Sequence, residues 1–248
     1  MGLVFNNLTK YLYQQKRLVA VFFIVFFMVG FFGIITPFTH QIFLKLFPVA
    51  LLLSFFALLL FHQTPYDAKT VIALLVIGLS GYFIEVAGVN TNLIFGNYTY
   101  GDSLGIQFFN APVLIGINWV MLTFASSSIT EKSSLPISLK IIIASILMLL
   151  YDIILEQIAP DLDMWHWAGG VVPYQNFFAW LLIAVLFQSF IKMMGIKTRN
   201  SIALLIILCQ ALFFISLIIF FSITKCYLNR NKIFFIIPIS SCFMRNGK

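Results

Sequence analysis

The chain has 248 residues, of which 61% are hydrophobic and only 9% charged, and its mean hydropathy is +1.02. A soluble domain carries roughly 45–50% apolar and about 25% charged residues, so a soluble fold is excluded and a polytopic membrane protein is the expected class. The formal net charge of +7 does not point to nucleic acid, because the basic residues are scattered at the ends of apolar runs instead of massed on one face.

In chain order, Lys10, Lys16 and Arg17 precede a first apolar run from about Leu18 to Ile35. It lacks a small-residue cleavage pattern before Pro37 and is read as a retained span, not a signal peptide. Further spans are expected at Phe43 to Phe61, Val71 to Val89, Ala111 to Ser128, Leu139 to Gln157, Phe177 to Met194 and Ile202 to Ile223. The expected fold class is therefore all-α, a polytopic transmembrane helical bundle of about seven spans. With no internal repeat or linker, it is read as a single integral membrane domain over 1–248. Cys209, Cys226 and Cys242 form no CxxC pair and suggest neither a disulfide framework nor a metal site.

Charge sets the expected topology. Lys69, Lys132, Lys140, Lys192, Lys197 and Arg199 lie in alternate connections, whereas the connections after the third and fifth spans hold Asp102, Asp161 and Asp163 and no Lys or Arg. Positive residues favour the cytoplasmic side, so the N-terminus is expected there. The basic tail from 225 to 248 does not fit this alternation, and its side is left open.

Chemistry gathers toward the acidic side. Glu85 falls in the last third of the third span, where a carboxylate must face the bundle interior or a wet cavity. Gly81 and Gly88 share its helical face and leave room beside it. Asp152 and Glu156 stand at i and i+4 near the end of the fifth span, so they either form a solvated helix end or a buried like-charged pair of which one member stays protonated. The segment WHWAGGVVPYQNFFAW, Trp165 to Trp180, holds three of the four tryptophans. It reads either as an interfacial aromatic belt or as electron-rich rings facing a cationic intermediate. His166 is read as a polar loop residue, and no HxxxH or HExxH arrangement, Walker loop, GxSxG elbow or DDxxD cluster is present.

Glu85 with Gly88, FGNYTYG at Phe95 to Gly101, APVLIGINW at Ala111 to Trp119, YDIILE at Tyr151 to Glu156, WHW at Trp165 to Trp167 and VPYQNFFAW at Val172 to Trp180 together resemble the carotenoid biosynthesis membrane protein family, whose members include carotenoid 1,2-hydratases of the bisanhydrobacterioruberin and gamma-carotene hydratase type. The resemblance is strongest over 81–180. Where the family pattern has a second aspartate followed by proline, this chain has Glu156 and Gln157, with proline delayed to Pro160.

The resemblance implies cofactor-free, metal-free hydration of the terminal C1,C2 double bond of an acyclic carotenoid end group in a bacterial cytoplasmic membrane. The implied partners are the carotenoid substrate and membrane lipid, with room for association with other carotenoid pathway enzymes. Hydration needs an acid to protonate the alkene, electron-rich surroundings for a tertiary cation, and one admitted water. On this reading Asp152 or Glu85 supplies the proton, and the other carboxylate or Glu156 orients water. Tyr98, Tyr100, Trp119, Trp165, Trp167, Asn176 and Trp180 line the substrate. An acid-initiated carotenoid cyclase and a proton-coupled lipid transporter are the alternatives.

Overall fold

The computed structural model describes residues 14–233. Cys242 and most of the basic tail lie outside them. Helix α1 (Lys16–Ile35) stops where Thr36 precedes Pro37, since the proline ring pushes the preceding residue to extended backbone. Its last carbonyls find partners in the turn that follows. Thr36 Oγ1 donates to Phe32 O at 2.7 Å, Thr39 Oγ1 donates to Gly33 O at 2.8 Å, and His40 Nδ1 lies 2.7 Å from Ile34 O.

A short α2 (His40–Leu44) leads into α3 (Phe47–Leu60), which carries Pro48 in its first turn, where the missing N–H costs nothing. Together they make one span of membrane length. Helix α4 (Ala68–Thr91) starts at Asp67, whose Oδ1 accepts from Thr70 N at 2.8 Å and Thr70 Oγ1 at 2.7 Å, and stops at Asn92 in the left-handed region.

Helix α5 (Leu114–Glu131) is the hub, packed against α3, α4, α6 (Ile137–Glu156), α7 (Tyr174–Met193) and α8 (Ala203–Ile233). Its backbone meets α4 so closely that a Cβ on Gly116 would lie 2.5 Å from Gly78 O. Helix α1 packs along α8 at the margin, with Phe27 and Phe213 rings 5.5 Å apart.

Six helical segments among the described residues are long and apolar enough to cross a membrane. The fourth of the expected spans, Ala111 to Ser128, corresponds to α5, which has the length but carries buried Asn118, Thr123, Ser126, Ser127, Ser128 and Thr130. A helix wrapped by other helices need not be compatible with lipid. The last span is longer than expected, since α8 runs on to Ile233.

The helices place two sets of connections at opposite ends. At one end Gln63 N donates to Arg199 O at 2.8 Å and Lys192 Nζ is 2.6 Å from Glu131 Oε2. At the other, Lys225 on α8 pairs with Asp161 at 2.7 Å. The acidic end also carries two small antiparallel pairs. Strand β1 (Tyr98–Tyr100) pairs with β4 (Trp165–Trp167), while β2 (Gln107–Phe108) and β3 (Ala111–Pro112) form a hairpin. Phe109 and Asn110, at φ 52 and 65, make its two-residue turn, the geometry that matches strand twist.

Candidate active site

The end of α4 sets the first wall. Gly81 and Gly88 stand one turn to either side of Glu85, and both are needed: a Cβ at Gly81 would lie 2.7 Å from the Trp119 ring and one at Gly88 would lie 2.5 Å from Phe95. The space they leave lets three donors reach the Glu85 carboxylate, which is 3% exposed. Tyr98 and Tyr100 donate to Oε2 at 2.9 and 2.7 Å, and Trp119 Nε1 donates to Oε1 at 3.1 Å. Burial, then the neighbouring Glu85, pushes both phenols far up, which keeps them protonated as donors.

The second wall is the β1–β4 pair. Register sets Tyr98 opposite Trp167, Thr99 opposite His166 and Tyr100 opposite Trp165. Because side chains alternate along a strand, the four aromatic rings turn inward and Thr99 and His166 turn outward. The pair is fastened by Asp163, which accepts from Asp102 N at 3.1 Å and lies 3.0 Å from His166 Nε2. The hydrogen bond from His166 is the main cause that holds its carboxyl below the usual carboxylate range.

Helix α6 brings the other two acids to the same place. Glu156 Oε2 accepts from Trp165 Nε1 at 3.0 Å and Trp167 Nε1 at 2.7 Å, and its Oε1 accepts from Asn176 Nδ2 at 3.0 Å. Asp152, one turn earlier, is completely buried. Its Oδ2 accepts from the same Asn176 amide at 3.2 Å, and its Oδ1 has no hydrogen-bond partner among the described residues. An unpartnered buried oxygen is costly, so this atom is where a ligand, a proton or a water is wanted.

A cavity of about 20 Å³ lies among these groups, lined by all three acids, Asn176 and Trp180 as well as the aromatic lid. That is room for about one water. Trp180 closes it by stacking on Trp119 with ring centroids 4.0 Å apart. Next to it is a far more apolar cavity of about 300 Å³ between α1, α2, α3, α5, α6 and α8, and Ile115 and Trp165 line both. Val29, Leu46 and Val49 line the larger cavity and are also exposed on the outer surface of the helices, so it borders the lipid side.

The residues expected at the site thus fall into one cluster: Glu85, Asp152 and Glu156, with Tyr98, Tyr100, Trp165, Trp167, Asn176 and Trp180 on the chamber and Trp119 bound to Glu85. Asp152 and Glu156 form a buried pair, not a solvated helix end. The indoles of Trp165 and Trp167 are not a lipid-facing belt, since their N–H groups serve Glu156. Sequence reasoning missed the strand pairing, whose signal was the shared alternation of YTY and WHW. It also missed the larger cavity with its polar wall residues Asn118, Tyr151 and Gln210; Asn118 stood inside a quoted motif and passed unremarked.

No curated protein and no solved structure matches the chain. A family model described as carotenoid biosynthesis protein matches residues 46–239, a wider stretch than the central segment on which the sequence resemblance rests. That match covers most of the chain and includes all three buried acids, and the protein belongs to the carotenoid biosynthesis protein family.

Proposed function

We propose that the protein hydrates the terminal C1,C2 double bond of an acyclic carotenoid end group without a cofactor. The observation that carries the reading is the unpartnered Oδ1 of Asp152, buried beside a chamber of one-water size and next to an apolar cavity. Glu85 and Glu156 each already accept three hydrogen bonds, which leaves Asp152 as the acid with an oxygen turned to a substrate. Asp152 gives its proton to the less substituted alkene carbon, and a tertiary cation forms at the other. The aromatic rings around the chamber favour that cation, and a water adds to it. Glu156, held by both indoles and by Asn176, orients the water, and Glu85 fastens Tyr98 and Tyr100 of the lid to α4 and α5.

Membership in a biosynthetic family favours an enzyme over a transporter, and room for one water favours hydration over cyclisation. By the same proposal, the basic end of the bundle faces the cytoplasm and the acidic end with its lid faces away, in a bacterial cytoplasmic membrane. The bundle acts as one domain, with the carotenoid and surrounding lipid as its partners. The test is product analysis in a host that makes acyclic carotenoids: the parent protein should yield a pigment heavier by one water, and Asp152→Asn should not. Full hydration by Asp152→Asn would sink the assignment.

A further inference from the structure

The larger cavity lies beside the chamber, with Ile115 and Trp165 in the wall they share. Tyr151 and Leu155 line it from α6, on either side of Asp152 in sequence. Six phenylalanines, Phe26, Phe27, Phe43, Phe47, Phe213 and Phe214, also line it, and the last of these stacks on Phe47 within 13° of parallel. Such walls suit a flat, conjugated hydrocarbon chain. Helix α1 packs along α8 and against α2, but among the described residues it has no comparable packing against α3. Val29 on α1 and Val49 on α3 line the cavity and are half exposed on the outer surface, so the seam between the two helices joins the cavity to lipid. Gly30 stands on this seam. A glycine inside a helix carries an entropic cost, and of the two in α1 only Gly33 is required by packing. A Cβ there would lie 2.4 Å from the Phe43 ring, whereas one at Gly30 would meet only the edge of Phe213, at 3.4 and 3.9 Å. What Gly30 leaves empty is cavity.

We propose that the larger cavity holds the isoprenoid chain next to the reacting end group, that this chain enters from the bilayer between α1 and α3, and that Gly30 sets the width of the passage. The inference deepens the proposed function and rests on its reading of the chamber as the place where an isoprenoid end group reacts. Size limits what is held: an apolar cavity of about 150 Å³ takes one benzene ring, so about 300 Å³ takes on the order of a dozen carbons. The remainder of a carotenoid then stays in the bilayer. Entry along the seam leaves the lid over the three acids in place, so the hydrocarbon never has to cross the aqueous face of the protein.

The experiment reads binding apart from turnover. Purified full-length protein in phospholipid nanodiscs is titrated with an acyclic forty-carbon carotenoid, and binding is followed as saturable quenching of tryptophan fluorescence, since Trp165 lies in the cavity wall. Gly30→Leu should weaken binding at least about tenfold, the scale of forcing a branched side chain into an occupied site. The loss should fall on KM and not on kcat, as expected of a group that holds substrate away from the reacting atoms. Gly30→Ala should weaken binding less. Val49→Trp, on the exposed opposite lip, should slow association at least about threefold, and it decides the matter if Gly30→Leu does not fold. Parent-like binding by folded Gly30→Leu, or parent-like association by Val49→Trp, overturns the inference. So does quenching by brominated acyl chains of the phospholipid that the carotenoid fails to relieve, which gives the cavity to a lipid tail. Saturable binding that Gly30→Leu weakens, with no alcohol formed by the parent protein, overturns the hydration reading and leaves the isoprenoid site standing.

Discussion

The two ends of the bundle treat buried acids in opposite ways. At the basic end Glu131 meets Lys192 at 2.6 Å, with side chains 16% and 10% exposed. At the acidic end three carboxyl groups crowd one chamber, and among the described residues no Lys, Arg or His lines it. Their partners are phenols, indoles and a single amide, all neutral donors. A cation partner fixes an acid in one charge state. Neutral donors hold its position while leaving its proton available for exchange, which is what alkene protonation requires.

The largest effect should come from the acid whose donor set is least complete. Asp152→Asn keeps the shape of the side chain and should still fold, while hydration falls at least about 100-fold, the lower range for a general acid; pigment mass and yield per folded protein are the readout. At the other end, Glu131→Gln leaves Lys192 partly buried without its counter-ion. It should lower stability by about 2 kcal/mol, between the values for exposed and fully buried pairs, with turnover per folded molecule unchanged. Thermal unfolding in detergent measures the first and product yield the second. Loss of hydration with Glu131→Gln, at full occupancy of the folded state, would break the contrast between the ends.

A smaller effect is expected within the donor shell. Trp167→Phe removes the 2.7 Å donor to Glu156 but leaves Trp165, and should cost about 1 kcal/mol, read as roughly a fivefold fall in turnover. The smallest concerns the lid fastening. The carboxyl of Asp163 is held below its ordinary value in the folded protein, chiefly by the hydrogen bond from His166, so its contribution is present above about pH 4. It is lost as the pH falls through the lower folded value. Protease nicking or hydrogen exchange around 163–167 should therefore rise modestly between pH 5 and pH 3, and Asp163→Asn should flatten that rise.

The legibility of the fold and the site in the sequence follows the range of the forces involved. Spans of Phe, Ile and Leu are local in sequence and were readable, as was the inward turn of Glu85 between two glycines. Helix α5 was expected as an ordinary span because length and apolar content say nothing of whether the neighbours are lipid or protein. The β1–β4 pairing joins Tyr98 to Trp167 across the whole of α5 and α6. Three-residue strands carry too short a period to announce themselves, so YTY and WHW passed as loop. Tertiary pairing likewise decided what the tryptophans do: composition offered rings to a lipid interface or to a cation, and the fold aimed two N–H groups at Glu156. The unpartnered oxygen of Asp152 could not be read at all, since an absent hydrogen bond exists only once every neighbour is placed.

The most direct test is to incubate the purified protein with an acyclic carotenoid in water enriched in heavy oxygen, with no added cofactor, and to weigh the product. The account predicts a pigment that has gained one water carrying the heavy oxygen at a tertiary carbon of its end group. A product of unchanged mass with a closed ring, or an oxygen that does not come from the labelled water, would contradict it.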